Sequence, residues 1–469
     1  MKLHLSAICG TAMASLAGLL RARGHEITGS DQDVYPPMST QLEALGIEIR
    51  SPYAEANVPA DADLVVIGNA LSRGNPEVEA VLDRRQSYTS LPALVAEEFL
   101  RPRTSLVVAG THGKTTTTSL LAFLLDRAGL DPSFLIGGVP ADFGRSDRLG
   151  TGPHFVIEGD EYDSAFFDKR PKFVHYLPTT AIIGNVEFDH ADIYPDLAAV
   201  QTAFVRLLHV IPRSGLLVAG TESEALRGIL LQARCRIETF GLHAEADWRA
   251  TELRTADGQS RFRLVRKGRD EGEFTLPMAG EHNVRNALAA LAAAADAGVA
   301  PAAARDALAA FRGVKRRLEL RGEARGVTVY DDFAHHPTAV AATLAALRSL
   351  GGPGRLVAVF EPRSYTSRTR VFQDDFARAF AVADRVIVSA AHLPGKVPEA
   401  ERLSEAELVA SIGGAGGDAA FVPTVDAIVK ALMAELRPGD RVAILSNGGF
   451  GGIHEKLLRA LGRLPAEAV

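Results

Sequence analysis

The stretch SLVVAGTHGKTTTTSLLAFLLDRAGL, residues 105–130, decides how the rest of the chain is read. Leu106 to Ala109 is an apolar run suited to a buried strand, and a helix is expected from near Thr116. Between them lies Gly110-Thr111-His112-Gly113-Lys114-Thr115. A strand, a glycine loop and a helix N-terminus together present backbone N–H groups and a positive dipole end to phosphate. Lys114 would then reach the β- and γ-phosphates and Thr115 would hold Mg²⁺, so the loop through Thr116 is expected to bind ATP. One departure from the general P-loop is visible, since Val108 stands five residues before Gly113 where that pattern has a glycine. A chance Gly-Lys-Thr in a loop is the plain alternative, and the strand before it and helix after it weigh against that.

Outward from this loop the same alternation recurs. At 469 residues, and with roughly 150 residues per domain, about three domains are expected. LHLSAI, HEITGSD and ADLVVIGNA read as strands of a first unit, with an amphipathic helix between the first two. RPRTS marks a linker, and a third unit opens near Arg316 with VTVYDDFAHHP, GRLVAVFEPRS, RVIVSAAHLPG and RVAILSNGGFGG. The expected fold is α/β in three domains: a Rossmann-like N-terminal domain (1–102), a central P-loop ATPase domain (103–315) and a Rossmann-like C-terminal domain (316–469). In open parallel sheets ligands gather at the carboxyl ends of strands, so polar residues at those ends are the site candidates.

EGDEYD places Glu158, Asp160, Glu161 and Asp163 after the strand Phe155 to Ile157. Clustered carboxylates repel without a cation, and magnesium on ATP phosphates is the natural partner; a solvated acidic loop is the alternative. AIIGNVEFDHADIY ends another apolar strand with Asn185, Glu187, Asp189 and His190. His282, Asn283 and Asn286 open a helix, where their side chains either read the adenine edge or cap the helix. Arg316 and Arg317 precede the third unit, and an arginine arriving from a neighbouring domain can stabilise phosphoryl charge. In the first unit only Gly10 survives of a dinucleotide fingerprint, while Ser30 and Asp31 end the second strand, where an acid commonly accepts from a ribose hydroxyl.

Composition sets the outer limits. The chain is 47% hydrophobic and 23% charged, as a globular protein is, and its net charge of −6 leaves no nucleic-acid footprint. With only Cys9 and Cys235 there is no disulfide framework, which fits a reducing compartment. His4 interrupts the apolar N-terminal run, which reads as strand, turn and helix and not as a secretory signal. No stretch reaches the roughly 20 apolar residues that span a bilayer, so no membrane role and a cytoplasmic location are expected.

GTHGKTTTTS, EGDEYD, NVEFDH, GEHNVRNALAA, the Arg pair and DDFAHHPT, in that order, resemble the muramyl (Mur) ligases along essentially the whole chain. Within the family VYPPMST, GNALSRGNPEVEAVL, DEYDSAFFDKR, FEPRS and SNGGFGGIHEKLL are most similar to the recycling branch. That branch attaches L-alanyl-γ-D-glutamyl-meso-diaminopimelate to UDP-N-acetylmuramate in peptidoglycan recycling. The resemblance implies that the N-terminal domain binds the UDP-sugar through Gly10, Ser30 and Asp31, with Asn69 and Asn75 nearby. It makes Lys114 the phosphate residue, Thr115 and Glu158 magnesium ligands, His190 a second-metal or phosphate contact, and puts His282, Asn283 and Asn286 near the adenine. The C-terminal domain would bring the tripeptide to Arg363, Ser364, Arg368, His392 and Asn447. Several members carry a carbamylated lysine; the absence of lysine between Lys172 and Lys267 argues against a two-magnesium site of that type here.

The expected chemistry is ATP-dependent amide ligation through an acyl phosphate, with Arg317 offsetting charge and His335 or His336 orienting or deprotonating the amine. One rival is the biosynthetic relative that adds L-alanine to the same UDP-sugar. Another, of a different class, is a P-loop switch module that hydrolyses ATP to move a partner.

Overall fold

Apolar strands and amphipathic helices alternate along the chain and lay down three main sheets in succession. The computed structural model describes residues 1–34 and 38–462, so Tyr35-Pro36-Pro37 of the VYPPMST stretch lies outside the described residues. The first sheet has five strands, all parallel, in the order Glu48–Arg50, Glu26–Ser30, Lys2–Ser6, Leu64–Ile67, Tyr88–Ser90. Helix Thr11–Ala22 buries Met13, Leu16, Leu19 and Leu20 in the core beside it. The strand order reverses between Lys2–Ser6 and Leu64–Ile67, which opens a crevice at their carboxyl ends, by Gly10 and Asn69.

The second sheet has ten strands. At its heart Thr104–Ala109 pairs in parallel with Thr180–Ile183 on one side and His154–Glu158 on the other. The P-loop, the acidic loop and the 184–190 loop therefore leave the same edge side by side. Helix Lys114–Arg127 begins two residues before Thr116, because Gly113, at φ 81°, turns the chain into it. A β-carbon at Gly113 would also lie 2.4 Å from Asn286 Oδ1, so glycine lets the loop approach helix Glu281–Asp296.

An antiparallel meander, Trp248–Ala256, Gln259–Arg266 and Arg269–Leu276, extends this sheet where no strands are expected from the sequence. Phe262, Leu264, Phe274 and Leu276 project from it into the same core as the alanines of helix Glu281–Asp296.

The third sheet runs Glu319–Ala324, Val327–Asp332, Arg441–Leu445, Leu356–Phe360, Arg385–Val388, Ala419–Phe421, parallel but for the first pair. Phe360, Phe376 and Phe380 are fully buried and mutually packed, and truncating one to alanine would cost about 3–5 kcal/mol. On the segment that enters this unit, Arg316 and Leu318 have φ 63° and 51°, an uncommon conformation for residues with a side chain. Arg316 is pinned there by Ser446 O and Gly448 O at 2.6 and 2.7 Å. Among the described residues no helix is long and apolar enough to cross a membrane.

Candidate active site

The edge of the central sheet and the facing edge of the third sheet enclose a cavity of about 520 Å³. Its walls are the P-loop, Glu158, the Asn185–His190 loop and the start of helix Glu281–Asp296, closed from the other unit by Arg317, Asp332–His336, Ser364 and Asn447. Lys114 Nζ bonds Gly110 O at 2.7 Å, Thr111 O at 3.2 Å and both oxygens of Glu161 at 2.8 and 3.0 Å. Burial pushes its pKa down, but Glu161 and Asp160 outweigh that and hold it above the ordinary lysine value. Glu161 also meets His190 Nε2 at 3.0 Å, and its pKa falls although burial opposes the fall. The sequence reading singled out Glu158 from the EGDEYD cluster; the structure gives the lysine contact to Glu161.

Glu158 takes Thr115 Oγ1 at 3.1 Å and the Gly137 N–H at 2.8 Å. Burial raises its pKa despite Lys114 nearby. A β-carbon on Gly137 would fall 2.8–2.9 Å from both Glu158 oxygens, so the carboxylate rests in a cradle only glycine leaves open. Thr115 Oγ1 also accepts from Arg317 Nη2 at 3.1 Å. The Arg317 guanidinium lies over the Phe333 ring at 4.8 Å, and burial lowers its pKa, with Asp332 and Glu158 offsetting part of that push. These oxygens of Thr115 and Glu158 are hard donors of the kind that suit magnesium.

Three further contacts join the two units: Thr338 Oγ1 to Glu187 Oε2 at 2.6 Å, His336 Nε2 with Phe188 O at 3.1 Å, and Thr366 Oγ1 to Asp189 Oδ1 at 2.5 Å. Against the upward push of burial, His112, Thr338 and His336 hold the Glu187 pKa near 2. Glu161 and Glu187, two of the strand-end carboxylates expected from the sequence, and Asp332 of DDFAHHPT are members of the site, and Gly137 is a member that no sequence motif marks.

His282, Asn283 and Asn286 line the cavity together. Of their two expected uses helix capping falls, since Gly280 caps the helix without any side-chain bond. Asn283 Nδ2 donates to Ala279 O at 2.8 Å, Asn286 Nδ2 to Asn283 Oδ1 at 3.4 Å, and burial brings the His282 pKa to about 4.

In the N-terminal crevice several expected contacts are turned inward. The Ser30 hydroxyl is fully buried and donates to Glu77. Asp31 accepts from Cys9 N at 2.8 Å and Tyr53 OH at 3.1 Å, and Asn75 Oδ1 caps helix Pro76–Asp83. Asn69 Nδ2 reaches Asp163 O at 3.5 Å, and Gly10 heads helix Thr11–Ala22. The ligand-facing reading of Ser30 is corrected: a serine in the buried half of the strand end serves the internal carboxylate.

In the C-terminal unit Ser364 and Asn447 reach the cavity. Arg368 is 8% exposed, and its Nε and Nη1 donate to the carbonyls of Ser364, His392 and Leu393 at 2.8–3.2 Å. Arg363 lies against Gly448, and His392 N bonds Pro362 O at 2.9 Å.

The fold is that of a Mur ligase, and family models account for nearly all of the chain: "Mur ligase family, catalytic domain" over residues 2–101, "Mur ligase middle domain" over 108–294 and "Mur ligase, glutamate ligase domain" over 316–448. The chain belongs to the Mur ligase family. It is 47% identical over 465 residues, 99% of each chain, to the UDP-N-acetylmuramate–L-alanyl-γ-D-glutamyl-meso-2,6-diaminoheptandioate ligase of Escherichia coli (strain K12). A UDP-N-acetylmuramate–L-alanine ligase of Solibacter usitatus (strain Ellin6076) is 36% identical over 463 residues, 98% of this chain and 95% of that relative. The crystal structure of a murein peptide ligase from Psychrobacter arcticus 273-4 matches with TM-score 0.74 and 41% identity, covering 99% of this chain and 100% of that one.

Proposed function

We propose that the protein is an ATP-dependent ligase that joins the amine of L-alanyl-γ-D-glutamyl-meso-diaminopimelate to UDP-N-acetylmuramate, in the cytoplasm, for peptidoglycan recycling. One observation carries the reading: the chain is 47% identical, along 99% of its length, to a ligase named for that pair, against 36% for one named for L-alanine. The cavity walled by two units supports it, because phosphorylation and acyl transfer both need a site closed to water.

A carboxylate resists attack by an amine because it is anionic and its oxygen leaves poorly; phosphorylation removes both obstacles. The γ-phosphoryl of ATP must therefore be pressed against another anion, and Lys114 and Arg317 offset that charge. Magnesium, when bound, neutralises phosphate oxygens, and Thr115 and Glu158 are the residues that would hold it, with His190 acting beside them through Glu161. The loop 110–116 takes the phosphates, and His282, Asn283 and Asn286 take the adenine. Gly10, Asp31 and Asn69 border the UDP-sugar, with Ser30 and Asn75 holding the backbone there. Ser364, Asn447 and Arg363 face the peptide, braced by Arg368 and His392. The domain limits 1–102, 103–315 and 316–469 follow this division of labour.

The test is mass spectrometry of products after incubating the protein with ATP, Mg²⁺, UDP-N-acetylmuramate and either tripeptide or L-alanine. The tripeptide adduct with release of ADP and phosphate is expected. An L-alanine adduct alone would move the protein to the biosynthetic branch, and ATP hydrolysis without either substrate would make it a switch.

A further inference from the structure

The ligation proposed above needs an amine that has lost its extra proton, because an ammonium has no lone pair with which to attack. His336, expected from the sequence to serve here, has neither ring nitrogen open. Nε2 meets Phe188 O at 3.1 Å, and Nδ1 accepts from Thr338 N at 3.3 Å at the start of helix Pro337–Ser349. His335 donates Nδ1–H to its neighbour Phe333 O at 2.9 Å, and burial brings its pKa to about 4, low for a group that must keep a proton taken from an ammonium.

His112 is placed differently. It sits in the phosphate loop with its ring 4.6 Å from that of His336, and its Nε2 is buried without a hydrogen-bond partner. That atom stands 3.4 Å from Glu187 Oε2. Beyond that carboxylate Nε2 has no polar partner, and an imidazole nitrogen beside a carboxylate at the seam of two units suits a group that brings N–H donors and positive charge. The other titratable groups around it are His335 and His336 of the C-terminal unit, with Asp189 near both.

We propose that His112 and Glu187 seat the ammonium of the incoming peptide and that His112 Nε2 removes its proton, an inference that rests on the ligation reading. One proton passes from the ammonium to the Nε2 lone pair, leaving a neutral amine and an imidazolium beside Glu187. The amine lone pair forms the C–N bond at the acyl carbon, and the bond from that carbon to the phosphate oxygen breaks. The second proton leaves with phosphate as hydrogen phosphate, and the amide nitrogen keeps one hydrogen.

A metal ion is the competing occupant, since donor atoms of His112, Glu187 and His336 lie within 4.8 Å of one another. The bonds in place favour the ammonium. A metal held by all three would have to displace Phe188 or Thr338 from His336, whereas an ammonium needs only His112 Nε2 and the carboxylate.

Hydroxylamine separates the two roles, because it is largely neutral at pH 7 and attacks an acyl phosphate without a base. Wild-type protein with ATP, Mg²⁺ and UDP-N-acetylmuramate should form the hydroxamate; no hydroxamate at all would overturn the ligation reading, and this inference with it. In His112→Gln and Glu187→Gln the ratio of tripeptide ligation to hydroxamate formation is expected to fall on the order of 100-fold at pH 7. The deficit should close as pH approaches the pKa of the peptide amine. A ratio unchanged in both variants overturns the proposal. So does one stoichiometric Co²⁺ in the turning-over enzyme with visible bands lost in both variants, which would assign the place to a metal.

Discussion

Arg317 Nη2 donates to Thr115 Oγ1 at 3.1 Å, so a residue from the head of the C-terminal unit touches the hydroxyl that closes the phosphate loop of the central one. Removing that guanidinium takes positive charge from the place where phosphoryl charge develops. Arg317→Ala is expected to lower kcat on the order of 10³-fold, while calorimetry shows UDP-N-acetylmuramate binding unchanged. Arg317→Lys should recover little, because an ammonium cannot reproduce the planar fork over Phe333.

Lys114→Ala is expected to abolish ligation and to leave UDP-sugar binding intact. It also takes Lys114 from Glu161, whose side chain is 2% exposed, and leaves that carboxylate only His190 as a charged partner. Breaking such a buried pair costs about 3 kcal/mol, so urea melts should show a loss near that size, partly restored in the Lys114→Ala, Glu161→Gln double variant. A variant with near-normal turnover would defeat the phosphate-loop assignment.

Gly137→Ala puts a methyl group 2.8–2.9 Å from both oxygens of Glu158. The loop backbone is not left-handed there, so the fold should persist while the carboxylate is pushed off its seat. The expected outcome is a rise of about tenfold or more in the Mg²⁺ concentration for half-maximal rate, with an unchanged melting curve.

Glu77 is fully buried and takes Ser6 Oγ at 2.7 Å, Asn57 Nδ2 at 2.9 Å and Ser30 Oγ. Burial pushes its pKa up, but His4, Ser30, Ser6 and Asn57 bring it from 4.5 to about 2. A carboxyl depressed in the folded state adds stability above its unfolded value and loses it as pH falls through the folded one. About 3 kcal/mol should therefore disappear between pH 4.5 and 2, from a shift of that size. Denaturant melts across this range should be flatter for Glu77→Gln than for the wild type.

The phosphate loop was legible because its chemistry is local: strand, glycine, lysine and helix lie within residues 105–130. The choice between Glu158 and Glu161 was not, since both stand in EGDEYD and only the turn after the strand sends one to Gly137 and the other to Lys114. Ser30 reads as a ligand residue because the carboxylate that claims it lies 47 positions away. The bracing of Arg368 is hidden for a similar reason, as the carbonyls of His392 and Leu393 that it meets are distant in sequence. The 248–276 meander did carry a signal, with Phe262 and Leu264 facing Phe274 and Gly272 at a period of two; its many charges on the other face hid it.

The guanidinium of Arg317 rides on the connecting segment, between two backbones wound the less common way at Arg316 and Leu318. Any swing of the third unit away from the nucleotide therefore withdraws it from Thr115. An opened cleft would then leave ATP short of the guanidinium that its transferred phosphoryl needs, so the positive φ at Arg316 and Leu318 would tie nucleotide chemistry to the seating of the third unit.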